Sequence, residues 1–227
     1  MARSTGRPRA SGSASPSGLG TRSDILLAGA RLFCTVGYGS TSTHAIADAA
    51  GIRQASMYHY FAGKHEILLE LLLGTVQPSL EAARLLLART ESPAIRLWAL
   101  CVSDVRLLSS GDVNVGSLYL LPEVSDPRLE AFAQQRGMLR DAYRELVASS
   151  AAGSVDVDRT SSLVLGLVES VILLRRRSPE SIDAETAPAI ADAALRVIGL
   201  DDAAVHRIRE AGEAVLDELS TASVDVS

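Results

Sequence analysis

The polar residues whose side chains are best suited to bind a partner cluster in one segment, Thr41–Phe61. Its sequence is TSTHAIADAAGIRQASMYHYF. Arg53 and Gln54 carry the side chains best suited to read bases, because arginine can bond guanine and glutamine can bond adenine through paired hydrogen bonds. Ser56 and Tyr60 add hydroxyl groups of the kind that bind phosphate. The segment therefore carries the chemistry of nucleic-acid recognition.

Two short helices joined by a tight turn would hold these side chains on one surface. The hydroxyl residues at positions 41–43 can cap a helix over His44–Ala50, Gly51 supplies the turn, and a second helix runs from Gln54 to Tyr60. Small residues let the two helices cross closely, as in a helix-turn-helix, and these are Ala47, Ala50 and Ala55. In that motif the second helix enters the major groove.

Helices on either side complete a compact unit. Apolar residues at helical spacing predict a first helix with Ser23 as its N-cap and Gly37 as its stop, and a fourth helix begins at Lys64. Five of the chain's nine aromatic residues fall within this unit, and they are Phe33, Tyr38, Tyr58, Tyr60 and Phe61. Such density fits a small core that needs bulky side chains, and part of it fits a functional surface.

At these residues the sequence resembles the TetR family of bacterial regulators. The matching features fall within about residues 25–70, and they are Phe33 through Gly37 and Tyr38, Ile46-Ala47, Ala50-Gly51-Ile52, Tyr58, Tyr60-Phe61, and Lys64 with Glu66 and Leu68. The resemblance implies a sequence-specific DNA-binding transcriptional regulator, and most often a repressor that a small molecule releases from a palindromic operator. The alternative is a helical ligand-binding or interaction module that has lost DNA binding.

The resemblance, together with the exposed polar positions, predicts a set of DNA contacts. They are Ser42, Thr43, His44, Arg53, Gln54, Ala55, Ser56, Tyr58, His59, Tyr60 and Lys64. Two positions depart from the family pattern. Thr43 stands where an aliphatic residue is common, and Arg53 stands where a serine or threonine often caps the helix, so Arg53 is available to phosphate or guanine.

The rest of the chain reads as helices. Its 227 residues are 47% hydrophobic but only 4% aromatic, which favours an all-α fold. The predicted helices beyond the first unit are 64–76, 79–90, 93–110, 113–121, 126–150, 156–177, 183–199 and 202–219. We predict a disordered basic arm over 1–22, a helix-turn-helix domain over 23–68, a regulatory ligand-binding and dimerisation domain over 69–220, and a flexible tail over 221–227.

Charge is unevenly distributed along the chain. Residues 1–65 hold seven of the 22 Lys and Arg residues but only two of the 27 Asp and Glu residues, so the remainder is strongly acidic. A basic end on an acidic protein fits contact with a polyanion such as DNA. Three of the seven cations fall before residue 10 and are Arg3, Arg7 and Arg9, so part of the imbalance is a property of the predicted arm.

Several other classes of protein are disfavoured. We find no nucleophile elbow, phosphate-binding glycine loop, HExxH motif or Cys-His cluster, so we predict no enzyme activity, no metal and no cofactor. His59 and His65 are not at metal-binding spacing, and Cys34 and Cys101 read as buried thiols. With neither a signal peptide nor an apolar run that could span a membrane, we expect a cytoplasmic protein.

Four aromatic residues of the second domain and one carboxylate are candidates for a ligand pocket. They are Trp98, Tyr119, Phe132, Tyr143 and Glu169. Aromatic walls with few polar groups are typical of small-molecule sites, although aromatic residues at helical spacing are more often core. Nothing in the sequence identifies the effector.

A homodimer is expected because one helix-turn-helix makes too few contacts to bind DNA tightly. The 156–177 segment is apolar over too wide a surface for one core face, and the 183–199 segment offers small residues for close approach. These two segments are the predicted dimer helices. An effector bound in the second domain would favour a dimer whose reading helices are wrongly spaced for the operator.

Overall fold

A computed structural model of the chain describes residues 18–151 and 153–224. Within these ranges the chain forms nine α-helices and no β-strand. The helices are α1 Thr21–Thr35, α2 Thr43–Ala49, α3 Gln54–Met57, α4 Lys64–Leu87, α5 Pro93–Ser109, α6 Glu130–Ser150, α7 Val157–Arg177, α8 Thr186–Val197 and α9 Asp202–Val224. Four short 3-10 segments join them, at Val115–Leu120, Pro122–Ser125, Pro127–Leu129 and Pro179–Ser181. The all-α prediction is confirmed.

The first three helices and the start of α4 form a small unit, which we call the head. Ile25, Phe33 and Ile46 are almost completely buried in it, together with Met57 of α3 and Ile67 of α4. The rings of Phe33 and Tyr38 pack edge to face, with their centres 5.0 Å apart and their planes at 64°. The head therefore has a core of its own, from which α3 projects.

The remaining helices form a larger bundle, which we call the body, centred on α5. Its run Leu97–Val102 is buried on every side, because α4, α6, α7, α8 and α9 all pack against this helix. A helix that is apolar all round can be stable only in the middle of such a bundle. α4 begins in the head and ends in the body, so it crosses the predicted domain boundary between residues 68 and 69 without a break.

Helix boundaries differ from the predictions where glycine, proline or serine was over-interpreted. α1 begins at Thr21 rather than after Ser23, and its N-cap is Gly20 without a side-chain hydrogen bond. α4 continues through Pro78, because the buried residues Val76 and Leu80 on either side hold it against the body. The predicted helix over 113–121 is a 3-10 segment, since Gly116 packs against Ile172 where no side chain would fit.

The two chain ends are partly described. Residues 1–17 of the predicted arm lie outside the described residues, and residues 21 and 22 belong to α1. α9 extends to Val224, so the first part of the predicted tail is helical, and residues 225–227 lie outside the described residues. Across the part of the chain that the structure describes, no helix is both long and apolar enough to cross a membrane.

One side of the body exposes apolar side chains from α7 and α8. Leu163 is 55% exposed, Leu174 is 39% exposed and Val197 is 40% exposed. Other residues of the same two helices, such as Val168 and Ala194, are buried within the body. Both predicted dimer helices thus bury one face and leave another uncovered.

Candidate nucleic-acid interface

The turn between α2 and α3 is built by local hydrogen bonds and two buried side chains. Ser42 caps α2, because its Oγ accepts the Ala45 N–H at 3.1 Å. Gly51 takes φ +67°, a left-handed conformation that glycine adopts without strain, and so ends the helix. Ile46 of α2 and Met57 of α3 are fully buried beneath the turn. The predicted helix-turn-helix is present, although α3 is four residues long and continues only as turns to Tyr60.

Three polar side chains join α2 to α3 on the outer surface. Gln54 Nε2 donates to Thr43 Oγ1 at 2.8 Å and lies 3.5 Å from the Tyr58 hydroxyl, which is 3.2 Å from Thr43 Oγ1. The short contact with Thr43 uses one amide N–H of Gln54, and the second N–H makes only a long contact with Tyr58. Exchange of that long contact for a base would give Gln54 the N–H and the Oε1 that a paired contact with adenine needs.

The outer side of α3 and the turn after it faces solvent. Arg53, Ala55 and His59 are exposed, Tyr58 is 50% exposed and Tyr60 is 44% exposed. Arg53 makes no side-chain cap, which leaves its guanidinium available, as its departure from the family pattern suggested. These side chains form a continuous polar and aromatic surface that a duplex can approach.

Three of the remaining predicted residues, His44, Ser56 and Ser42, lie beside this surface. His44 is exposed on α2, where its Nδ1 lies 3.1 Å from Asp48 Oδ2. Ser56 is half-buried, so its hydroxyl lies at the edge of the surface rather than at its centre. Ser42, although exposed, uses its hydroxyl oxygen as the helix cap described above.

Lys64 has a role that the sequence did not indicate. Its Nζ donates to the carbonyl oxygens of Tyr38 at 2.8 Å, Gly39 at 3.3 Å and Thr41 at 3.1 Å. An ammonium has three N–H groups, so these contacts use all of them. The cation also lies 4.5 Å from the centre of the Tyr38 ring. Lys64 therefore ties α4 to the turn between α1 and α2, and its ammonium would have to give up one of these contacts to bind phosphate.

The electrostatics of the head favour an anion. Within residues 18–65, four Lys and Arg residues outnumber two Asp residues. Arg22 is neutralised, because it pairs with Glu70 and stacks on the Phe61 ring. Arg53 and Arg31 are exposed, and Arg53 lies next to the base-reading side chain of Gln54.

Four of the five predicted ligand residues of the body lie close together: Tyr143 and Glu169 line one cavity with Arg136, and Tyr119 and Phe132 pack beside them. Tyr119 and Phe132 pack with their ring centres 5.4 Å apart, and Arg136 lies over the Tyr119 ring and bonds Glu169 at 2.5 Å. The Tyr119 hydroxyl lies 2.7 Å from Thr75 Oγ1. Sequence reasoning missed Arg136, since nothing in the sequence links it to a partner 33 positions away.

Tyr143 belongs to a buried acid site. Its hydroxyl donates to Asp104 Oδ2 at 2.8 Å, and burial raises the pKa of Asp104 to about 6, although Ser79 and Tyr143 partly stabilise the charged form. Asp104 Oδ1 has no hydrogen-bond partner of normal geometry. A carboxylate inside the apolar stretch WALCVSDV was a signal that could have been noticed.

Trp98 lies apart from these groups. It is fully buried, its Nε1 donates to Asp192 of α8 at 2.8 Å, and its ring fills the space left by Gly212 of α9. These contacts make Trp98 a core residue that joins α5 to α8 and α9. Among the described residues, no cluster of three His, Cys, Asp or Glu side chains is arranged to hold a metal ion.

Comparison with known proteins identifies relatives at both sequence and structure level. The family model described as bacterial regulatory proteins, tetR family, matches residues 25–71. The HTH-type transcriptional repressor KstR2 of Mycobacterium tuberculosis is 37% identical over 94 residues, which cover 41% of this chain and 47% of that repressor. The match thus spans about half the length of the curated relatives.

Two crystal structures extend the similarity over most of the chain. AmtR of Mycobacterium smegmatis is 43% identical, with a TM-score of 0.78, over 88% of this chain and 96% of that one. The TetR family transcriptional regulator PfmR of Thermus thermophilus is 26% identical, with a TM-score of 0.68, over 80% and 98% of the two chains.

Proposed function

The chain belongs to the TetR family of bacterial regulatory proteins, and from that premise we propose that it is a sequence-specific DNA-binding repressor. A small-molecule effector bound by the body releases it from a palindromic operator. The protein acts as a homodimer, so that two heads contact two half-sites of the operator about one helical turn apart.

One observation carries the proposal. α3 buries its apolar side through Met57 and turns Gln54, Tyr58 and Arg53 outward, with Gln54 held by Thr43. Side chains fixed in this way before binding lose little conformational freedom on the duplex, which favours selective contacts. Had this helix packed its polar side inward, the chain would have no surface with which to read bases.

The dimer is supported by the uncovered apolar face of α7 and α8. Leu163, Leu174 and Val197 expose large hydrophobic side chains on helices whose other sides are buried. Contiguous apolar surface of this kind typically marks a protein interface. Pairing of two copies through this face would hold the two heads at a fixed separation.

The experiment is a selection of duplexes from a random-sequence library by the purified full chain. We expect enrichment of a palindrome whose half-sites are separated by about 10 base pairs, since two reading helices must enter successive major grooves on one side of the duplex. Affinity for the selected duplex should fall steeply as salt rises, because phosphate contacts release counterions. If no sequence is enriched, the proposal is wrong, and the protein is a helical ligand-binding or interaction module that has lost DNA binding.

A further inference from the structure

A cavity of about 490 Å³ lies where the head meets the body. Leu26 and Leu27 of α1 line its head side, Leu71 of α4 lies between, and Leu107 and Val115 line its body side. The walls are mainly aliphatic, and the volume lies in the range of small-molecule sites. A molecule bound here touches the first helix of the head and the central helix of the body at once.

Arg175 of α7 brings a positive charge into this cavity. Its guanidinium donates to the carbonyl oxygens of Leu108 at 2.8 Å and Gly111 at 2.5 Å. Two of its five N–H groups are thereby used, and three remain. Arg175 is half-buried, and burial lowers the pKa of its guanidinium.

No carboxylate among residues 18–151 and 153–224 pairs with Arg175. Two other half-buried arginines bond a carboxylate, Arg136 that of Glu169 and Arg209 that of Glu185, whereas Arg96 bonds only the carbonyl oxygens of Leu87 and Arg89. A cation removed from water is stabilised most by an anionic partner. The unused N–H groups of Arg175 can supply that contact to an anion at this end of the cavity.

We propose that this cavity is the effector site, and that the effector is an amphiphile with an aliphatic chain and a carboxylate or similar anionic head bonded by Arg175. This inference rests on the proposed function, since it identifies the molecule that regulates DNA binding. The aromatic residues first predicted as pocket walls offer less space, because Trp98 and Phe132 are fully buried and the Tyr119 hydroxyl is already bonded to Thr75.

Other charged groups near the cavity are compatible with this ligand. Glu70 lines it as well, but its carboxylate is paired with Arg22. Asp112 lines it from an exposed position and makes no contact with Arg175. The chain's own N-terminal segment is a poor occupant, because its charged residues are arginines, which would repel Arg175.

The position of the cavity accounts for regulation. A ligand can shift a conformational equilibrium only if it binds the two states unequally. α1 forms one wall, and the body forms the other, so any movement of the head relative to the body changes the shape of the site. The ligand then favours one head position, and the affinity for operator DNA changes by the same coupling free energy.

The test uses three eight-carbon probes that differ only in the head group: sodium octanoate, 1-octanol and octylamine. Each is titrated into the full-length protein by isothermal titration calorimetry. We expect octanoate to bind, and 1-octanol and octylamine to bind at least about tenfold more weakly. Arg175→Gln should weaken octanoate binding by about tenfold or more and leave 1-octanol unchanged, because the uncharged probe makes no use of the guanidinium charge and the glutamine amide can still donate to the carbonyl oxygens of Leu108 or Gly111.

A second variant blocks the cavity without touching Arg175. Gly74 lines the cavity from α4, and a Cβ at this position would meet nothing within 4 Å, so Gly74→Leu places a side chain in the open space. We expect this variant to melt at or above the wild-type temperature and to lose octanoate binding. Gly137→Leu is the matched control, since Gly137 is also a helical glycine with open space but lies on α6 outside this cavity.

The outcomes separate this inference from the proposed function. Equal binding of all three probes, or octanoate binding retained by Gly74→Leu, overturns the site, whether or not Arg175→Gln folds. If the protein selects a duplex but does not bind octanoate, the effector inference is wrong and the proposed DNA-binding function is retained. If octanoate binds at Arg175 but no duplex is selected, the DNA-binding function fails and the ligand site remains.

Discussion

At the residue scale, the hydroxyl of Thr43 positions the Gln54 side chain that we propose reads a base. It accepts an N–H of Gln54 at 2.8 Å and so fixes which way the amide faces. The sequence pointed to both residues as DNA contacts, but it gave no sign that one holds the other. Their bond became visible only when α2 and α3 were placed side by side.

Replacement of Thr43 with valine keeps the shape and removes the bond, so Gln54 becomes free to rotate. A paired base contact contributes about 1–3 kcal/mol to discrimination. We expect Thr43→Val to reduce the preference for the correct base at the Gln54 position by roughly 3- to 10-fold. Affinity for random duplex should not change. Fluorescence anisotropy with four duplexes that differ at this base measures the effect.

Thr35→Val is the matched control. The Thr35 hydroxyl bonds only to the Arg31 carbonyl within α1, at 2.7 Å, and it lies outside the reading surface. Equal base preference in Thr43→Val and the wild type would show that Thr43 does not orient Gln54.

Asp104 makes stability depend on pH. Burial raises its pKa to about 6 from an ordinary value near 3.8, so the folded state holds the proton more tightly than the unfolded state. The stabilisation is complete below about pH 4 and is lost as the pH rises through about 6. Asp104→Asn does not titrate. We therefore expect its free energy of unfolding, relative to wild type, to rise by up to about 3 kcal/mol between pH 4 and pH 7.5.

Urea unfolding at the two pH values measures this difference, with the exposed Asp217→Asn as the control variant. A difference in the free energy of unfolding between Asp104→Asn and wild type that stays constant with pH would contradict a raised pKa.

Asp104 also shows what could not be predicted from the sequence. A carboxylate in an apolar helix can be noticed, but its partner Tyr143 lies 39 positions away.

At the scale of elements, the sequence predicted where most helices lie, but it did not predict that α4 is uninterrupted. Gly37 and Gly51 ended α1 and α2 as expected, because both take left-handed φ values. Pro78 was expected to divide α4, yet the helix continues. The cost of a proline in a helix is local, whereas the burial of Leu72, Val76 and Leu80 along one face extends over the whole helix.

Two glycines test how α1 and α4 cross. A Cβ on Gly29 would lie 2.6 Å from Ile67 Cγ2, so the helices approach too closely there for any side chain. We expect Gly29→Ala to destabilise the protein by about 1–3 kcal/mol through overpacking. Gly74→Ala, on an open part of α4, should stabilise it by about 0.5–1 kcal/mol through helix propensity. Chemical denaturation gives both values, and a Gly29→Ala protein as stable as wild type or more stable would rule out the close crossing.

At the scale of the whole molecule, the proposed pairing through the exposed face of α7 and α8 would set the separation of the heads. The sequence pointed to 156–177 from its wide apolar surface and to 183–199 from its small residues. It did not indicate which side each would bury in its own subunit, because that depends on how the body packs. In the structure, Val164 and Val168 are buried and Leu163 is exposed.

Leu163→Glu tests the pairing of two copies. A two-fold interface contains the residue twice, so two carboxylates would be buried without partners, at a cost of several kcal/mol. We expect the dimer dissociation constant to rise at least about a hundredfold, which sedimentation velocity detects as monomer. Leu120→Glu is the control, since Leu120 is 60% exposed on the 3-10 segment Val115–Leu120 and away from this face. A Leu163→Glu protein that remains dimeric would exclude this face as the interface.

The most direct test of base reading by α3 is the affinity of Gln54→Ala for the selected duplex. We predict a loss of about 10- to 100-fold relative to wild type, as expected for one paired base contact, with unchanged affinity for random duplex. Gln134→Ala, an exposed glutamine of α6, should bind as wild type does. Wild-type affinity and selectivity in Gln54→Ala would contradict the claim that this helix reads DNA.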